Sequence, residues 1–452
     1  MFMVSAAAVL VLFFLSGILA SGRARSSSDF SVANRKAGIR GVSGVVLGAL
    51  VGGGATVGTV QMAYQWGISA WWFTLGSGIA CLVMALLLAK PIRSSALMTL
   101  PQFLEGHYGP KTALLAAVST ASGSFLSMVA QMLSGIALMR SVFPLSAGAA
   151  ASILCVMVLV FAFGGGIKSF SRLGEWKIVF LYGVMVLCTV RTFSGGAGGA
   201  GLFSLPANPF FNMVARGAGK DLGSLASLVC GVVCGQIYIQ ALYSASDDTT
   251  AKRGFLLASG LIPLLGLLCI WIGLGMRASG VLVEPAQAFP HFIMTSFPPI
   301  LGGVLWSGIM ITVLGTAVGV SLGIATNLTR DMLLKTGAAS GFDDRQVLLA
   351  NRVALLAVTL LAGIVAAVAG GSMILQWSYL GMGLKAAGIF AILLAAVLKP
   401  GRLSGRWSLF AGLGGLAGTL WGALFFTRAD PLFPGLAVSG AITLFGIVKR
   451  SS

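Results

Sequence analysis

Long apolar runs follow one another along this chain with few polar interruptions, and that repetition predicts its elements. Stretches long enough to cross about 30 Å of hydrocarbon fall at residues 2–22, 41–64, 66–89, 112–139, 142–164, 177–195, 221–245, 254–276, 298–328, 348–369, 372–398, 406–427 and 432–448. The expected fold class is therefore an all-α membrane protein with about thirteen transmembrane helices. The longest interval between spans, 196–220, is a glycine-rich loop, so no water-soluble domain is expected between them.

The first span lacks a basic segment before it, and Arg23 and Arg25 follow it directly. That flank predicts a retained helix with its N-terminus outside rather than a cleaved signal. With that orientation, most lysines and arginines fall in cytoplasmic loops: Arg35, Lys36 and Arg40; Lys90 and Arg93; Lys168, Arg172 and Lys177; Lys252 and Arg253; Arg330 and Lys335; Lys399 and Arg402; Lys449 and Arg450. Outside loops would hold Arg140, Arg191, Arg216, Lys220, Arg277 and Arg428. The asymmetry predicts an odd number of spans, a cytoplasmic C-terminus and a bacterial-type inner (plasma) membrane.

Composition agrees. Hydrophobic residues make up 57% of the 452 and charged residues 9%, against about 25% charged in a soluble domain. The net charge of +18 is explained by the loop bias, so no nucleic acid is expected as a partner; the lipid bilayer is. Six cysteines are scattered through apolar segments, and Cys230 and Cys234 read as small core side chains. With only His107 and His291 in the chain, no Cys/His metal site is expected.

Inside a membrane, the backbone unwinds only where it lines a cavity or is buried in protein, which makes glycine clusters informative. Gly52, Gly53 and Gly54 sit in the second span, followed by Thr56, Gln61 and Tyr64. A second cluster, Gly231 to Gly235, precedes Gln236, Tyr238 and Gln240 in the seventh. Both fit broken helices, and both also fit close helix packing. Five spans separate their starts, as an inverted repeat of five helices requires. In the ninth span Thr312 and Thr316 share one helix face; their hydroxyls either serve a small cation as hard oxygen donors or bond back to their own helix. Lys385 falls near the middle of the span 372–398, whereas every acidic residue lies in a loop or near a span end. A charge at that depth costs at least about 2.5–3.5 kcal/mol. Three roles stay open for it: binding an anionic solute, occupying a cation site, or sitting neutral and hydrogen-bonded.

Several segments, in order, resemble the sodium:solute symporter family. They are Ser28-Asp-Phe-Ser-Val-Ala-Asn-Arg35, Thr56-Val-Gly58 with Ala63-Tyr64-Gln-Trp-Gly67, Thr99-Leu-Pro-Gln-Phe-Leu-Glu-Gly-His-Tyr-Gly109, Gly165-Gly-Ile-Lys-Ser-Phe170, Tyr238-Ile-Gln240 with Ala251-Lys-Arg-Gly254, and Thr326 to Asp331. The resemblance implies a 5+5 inverted-repeat core of the leucine-transporter type. Its divisions would be a first helix and loop at 1–40, repeats at 41–195 and 221–398 around the loop 196–220, and two accessory helices at 399–452. It implies a sodium site between the second and ninth spans, at Gly48, Val51, Thr312 and Thr316. Three positions depart from the family pattern. Gly315 stands where a second hydroxyl is usual, Leu173-Gly174 replaces Thr-Asp, and no arginine follows Gln240.

The resemblance implies sodium-coupled symport of a small organic solute, carboxylate-bearing, by alternating access and without enzymatic chemistry. Solute would lie among Gly52, Gly53, Gly54, Thr56, Gln61, Trp72, Gln236, Tyr238, Gln240 and Lys385; Trp72 and Tyr238 serve equally as interface or packing aromatics. The alternative is a proton-coupled or uncoupled transporter or exchanger in which Lys385 replaces the coupling cation. A sensor built on a transporter scaffold is a third reading, and it would want a soluble signalling domain. The sequence carries no signal for oligomeric state.

Overall fold

The computed structural model describes residues 1–20, 37–95, 97, 99–194, 201–335, 341–425 and 430–451. The loop motif Ser28 to Arg35 lies outside the described residues. Among those described there is no β-strand, and nine helices are long and apolar enough to cross a membrane. A bent pair and three shorter apolar helices add to these.

Helix α1 (Phe2–Ala20) is followed by α2 (Ile39–Leu50), α3 (Thr59–Trp66) and α4 (Trp71–Val83). The long helices α5 (Pro110–Val142) and α6 (Ala147–Ser194) come next. The second half contains α7 (Ala218–Val233), α8 (Gln236–Ser244), α9 (Asp248–Ala278), α10 (Pro299–Thr326), α11 (Asp344–Val368) and α12 (Ile374–Leu398). Two further helices, α13 (Gly405–Phe425) and α14 (Leu432–Ser451), pack on each other and on α12.

Helix α10 sits at the centre. It packs against α1, α5, α6 and α2, and it is buried along its length from Gly302 to Thr326 with no charged residue. A helix apolar all round is stable only inside a bundle or a bilayer. By contrast α13 buries a single stripe, Ser408, Ala411, Gly412, Gly415, Gly418 and Gly422, at helical spacing. Its small residues let the backbone of α14 approach closely: a methyl group added at Gly418 would lie 3.0 Å from the Pro434 carbonyl. Bulky apolar side chains face outward, among them Leu86, Val156, Leu361, Ile364, Leu420 and Phe445. That outer surface suits lipid rather than water.

Two of the expected features of the backbone take definite form. The second span is broken: α2 ends at Leu50, and helical structure resumes as one π turn over Gly54–Gly58 before α3. The seventh is bent by 45° between α7 and α8, at Cys234-Gly235. Close packing operates at the same glycines. A methyl group at Gly52 would lie 2.6 Å from Gln131 Oε1 and 2.7 Å from Thr316 Cβ.

One expectation is corrected. The sequence predicts a cytoplasmic loop containing Lys177 between the fifth and sixth spans, yet helical backbone runs through it within α6. Lys177 is 5% exposed, inside the bundle. Its position just before an apolar run made it resemble a flanking charge.

Packing at the first break yields a test. Gly52→Val forces at least one carbon into Gln131 and Thr316, and overpacking of this kind costs about 1–3 kcal/mol. Detergent-purified Gly52→Val should melt several degrees below wild type, while Gly260→Ala, where nothing lies within 4 Å, should not. Equal melting points for Gly52→Val and wild type would remove this contact from the packing argument.

Candidate functional site

The break in the second span leaves the last carbonyls of α2 without helical donors. Side chains from other helices supply them. Thr316 of α10 directs its Oγ1 at the Gly48 carbonyl, 2.9 Å away, with the Val51 carbonyl at 3.5 Å. Lys177 of α6 places its Nζ 3.0 Å from the same Gly48 carbonyl and 2.8 Å from Thr316 Oγ1. The hydroxyl thus accepts from the ammonium while donating to the carbonyl. On the far side of the break, Gly53 donates its N–H to Gln131 Oε1 at 2.7 Å. Thr312, expected beside these groups, bonds instead to the Gly308 carbonyl of its own helix at 2.8 Å.

The three expected ion-site positions Gly48, Val51 and Thr316 therefore do meet, and a lysine ammonium already lies on two of them. A sodium ion touching the same oxygens would sit about 3 Å from that ammonium, a repulsion of roughly 5 kcal/mol at an effective dielectric constant of 20. The residues present do not fit a sodium ion together with a charged Lys177. Lys385, read as a stand-in for the coupling cation, is not the lysine at this position.

Lys385 belongs to a second feature, a cavity of about 40 Å3 between the two breaks. It is lined by Ala49 and Leu50 of α2, Phe73 of α4, Ser124, Ser127 and Gln131 of α5, Gly235, Gln236, Ile237 and Tyr238 at the second break, Gly319, Val320 and Gly323 of α10, and Ser378, Met382 and Lys385 of α12. The Lys385 side chain is 4% exposed, and Nζ lies 3.7 Å from Met382 Sδ. No carboxylate forms an ion pair with it among the described residues.

Of the expected solute residues, the cavity gathers Gln236, Tyr238 and Lys385. Gln236 also accepts from the Leu100 N–H at 2.9 Å. The others are elsewhere. Gly52, Gly53 and Gly54 pack behind the wall on Gln131, Ser134 and Ser378. Thr56 bonds to the Gly52 carbonyl at 2.8 Å. Gln61 spans to α12, accepting from the Ile374 N–H at 3.0 Å. Trp72 donates to the Met213 carbonyl at 2.6 Å, and Gln240 does not reach the lining. Polar side chains that pin another backbone read the same in sequence as those that face a cavity. The lining residues missed, Ser124, Ser127 and Gln131, had a signal: spacings of three and four place them on one face of the fourth span.

Layers of contacts flank the cavity on two sides. On one, the Phe73 and Tyr379 rings meet edge to face at 5.7 Å, and the Arg216 guanidinium lies 5.7 Å from the Tyr379 centroid. Arg216 is paired at 2.6 Å with Asp221, which is fully buried and also accepts from Ser69 Oγ at 2.9 Å. On the other side, Thr99 donates to Asp331 at 3.0 Å and Arg93 pairs with Asp248 at 2.7 Å. Lys335 pairs with Glu105 nearby in the chain's fold.

Two broken helices facing each other across a cavity, in a bundle clad with apolar side chains, fit a membrane transporter. Similarity agrees. The model of the sodium:solute symporter family matches residues 30–415. The high-affinity proline transporter PutP of Bacillus subtilis (strain 168) is 24% identical over 417 residues, covering 88% of this chain and 87% of that protein. Among solved structures, a substrate-bound, outward-open Na+-coupled sialic acid symporter superposes with a TM-score of 0.82 at 14% identity, covering 99% of this chain and 97% of the other. A nucleobase-cation-symport-1 family transporter, closed with bromovinylhydantoin bound, gives 0.60 at 13% identity over 93% of this chain and 94% of the other. This chain belongs to the sodium:solute symporter family. It is a multi-pass membrane transporter of a small-molecule solute, not an enzyme.

The buried pair gives a prediction for the closed side. Arg216→Ala leaves Asp221 charged and unpaired, which destabilises by roughly 3–5 kcal/mol. The melting midpoint of the purified variant should fall well below wild type, with Arg216→Lys between them. A midpoint unchanged in Arg216→Ala would mean that the pair does not hold this side shut.

Proposed function

We propose that this protein carries a small organic solute bearing a carboxylate across a bacterial inner membrane by alternating access, with its N-terminus outside and its C-terminus cytoplasmic. The single observation that carries the reading is the Lys385 ammonium, buried in the central cavity against the Met382 thioether. A lone ammonium at that depth is costly, and a carboxylate brought by the solute supplies the missing opposite charge. Gln236, Tyr238, Ser127 and Ser378 surround it with groups able to donate or accept hydrogen bonds to the rest of the solute.

The cavity's size sets the mechanism. At about 40 Å3 it is far smaller than the roughly 300–1,000 Å3 of a small-molecule site. A solute enters only when one wall moves. The repeats 41–195 and 221–398 are proposed to rock against each other about the two breaks, opening first the Phe73–Tyr379–Arg216 side and then the side closed by Leu100, Thr99 and Arg93. Binding at Lys385 joins α12 to the second break and so favours the closed form.

The test is uptake into proteoliposomes from a pooled library of carboxylates and amino acids, for wild type and Lys385→Met. Wild type should accumulate at least one carboxylate, and Lys385→Met should lose about tenfold or more of that uptake, the loss of one charge-assisted contact of about 1.5–3 kcal/mol. Equal uptake by the variant would return Lys385 to a packing role and remove the carboxylate requirement.

A further inference from the structure

The oxygens expected to hold sodium hold an ammonium of this chain instead. Lys177 Nζ lies at hydrogen-bond distance from Gly48 O and Thr316 Oγ1, which bring together the first broken helix and the central helix α10. An exchangeable cation in this place would bind those helices together only while present. A tethered ammonium does so permanently. Ammonium donors satisfy the same carbonyl and hydroxyl oxygens that a small hard cation would, at nitrogen-to-oxygen distances of 2.8–3.0 Å.

Gly315 makes the exchange possible. A methyl group there would lie 3.5 Å from Lys177 Cδ and 3.6 Å from Nζ, in ordinary contact. A hydroxyl one atom further out, usual at this position by the resemblance drawn above, would compete with the ammonium for the same space. The missing hydroxyl leaves the space that the Lys177 stem and ammonium occupy. Among the described residues no carboxylate forms an ion pair with Lys177, α10 has no charged residue, and Arg40 is the only one in α2.

We propose that Lys177 is a built-in cation at the coupling-ion position, so that this transporter binds and moves its solute without sodium. The proposal rests on the transport reading above for its second clause, whereas its first clause can be tested without any solute. Its own measurement is the thermal stability of the purified protein in sodium chloride against choline chloride at matched ionic strength. Wild type should show no sodium-specific rise in melting temperature, because sodium finds no site that distinguishes folded from unfolded chain. Lys177→Ala combined with Gly315→Ser removes the ammonium and restores the hydroxyl, and it should gain a saturable, sodium-specific rise. A saturable sodium-specific stabilisation of wild type would overturn the proposal, whatever the fate of the variant.

Transport supplies the second readout. Once a solute is found, wild-type uptake should change less than about twofold between sodium and choline, since an ion with no differential binding shifts no equilibrium. The double variant should depend on sodium by roughly tenfold or more, within the usual range of coupling between sites. Sodium-dependent uptake by wild type would overturn the proposal. Absence of any uptake by wild type would count against the transport reading, and the stability measurement would still decide the role of Lys177.

Discussion

A helix that stops in the middle of a hydrocarbon layer must find donors and acceptors for the groups it strands, because no water is there to take them. In this protein α2 stops at Leu50, and the arrangement around it follows from that one demand. Thr316 and Lys177 converge on the Gly48 carbonyl from two other helices. Gln131 takes the Gly53 N–H from a third. The break is thus the point at which α2, α5, α6 and α10 are tied together by polar bonds, in a bundle otherwise held by apolar packing and small residues. Removing Gln131 takes the acceptor from the buried Gly53 N–H, which costs about 1–3 kcal/mol.

The second break uses the same physics with different groups. The chain turns at Cys234-Gly235, and Gln236 at the start of α8 accepts from the Leu100 N–H, tying that half to the segment before Tyr108. Here the polar atom that satisfies the backbone also lines the cavity. The structural bond and the solute-facing position are one side chain, so movement at this break changes what the cavity presents. At the first break Gln131 likewise binds the Gly53 N–H and lines the cavity, whereas Lys177 and Thr316 are outside the lining.

Much of this was legible in the sequence because apolar length and glycine clusters are direct consequences of the bilayer. The broken second span was readable from Gly52 to Gly54, and the meeting of Gly48, Val51 and Thr316 from family pattern. Less readable was the destination of each polar side chain. Thr312 and Thr316 are one helical turn apart on the same face, yet one returns to its own helix and the other crosses to Gly48. Only the neighbouring backbone decides that. Gln61 and Trp72 were drawn toward the solute by their polarity, whereas each pins a distant carbonyl or amide. Lys177 was assigned to a loop because a lysine at the edge of an apolar run usually marks the membrane surface. The absent hydroxyl at Gly315 was the available clue, since a vacancy beside a cation position asks what fills it.

Two buried lysines of the same kind therefore carry different meanings, and their ligand sets separate them. Lys177 has oxygen acceptors from two helices and lies against a glycine shaped to its stem. Its charge is answered by dipoles of this chain, and its contacts join helices. Lys385 has a thioether contact, serine hydroxyls across an open space and no ion-paired carboxylate among the described residues. Among the described residues no carboxylate answers its charge, and it lines the cavity. A membrane protein tolerates a permanently unanswered charge only at a stability cost, so the incomplete set is the one with a place for a solute's oxygens. The complete set, by the same reasoning, is the one proposed to stand in for an ion.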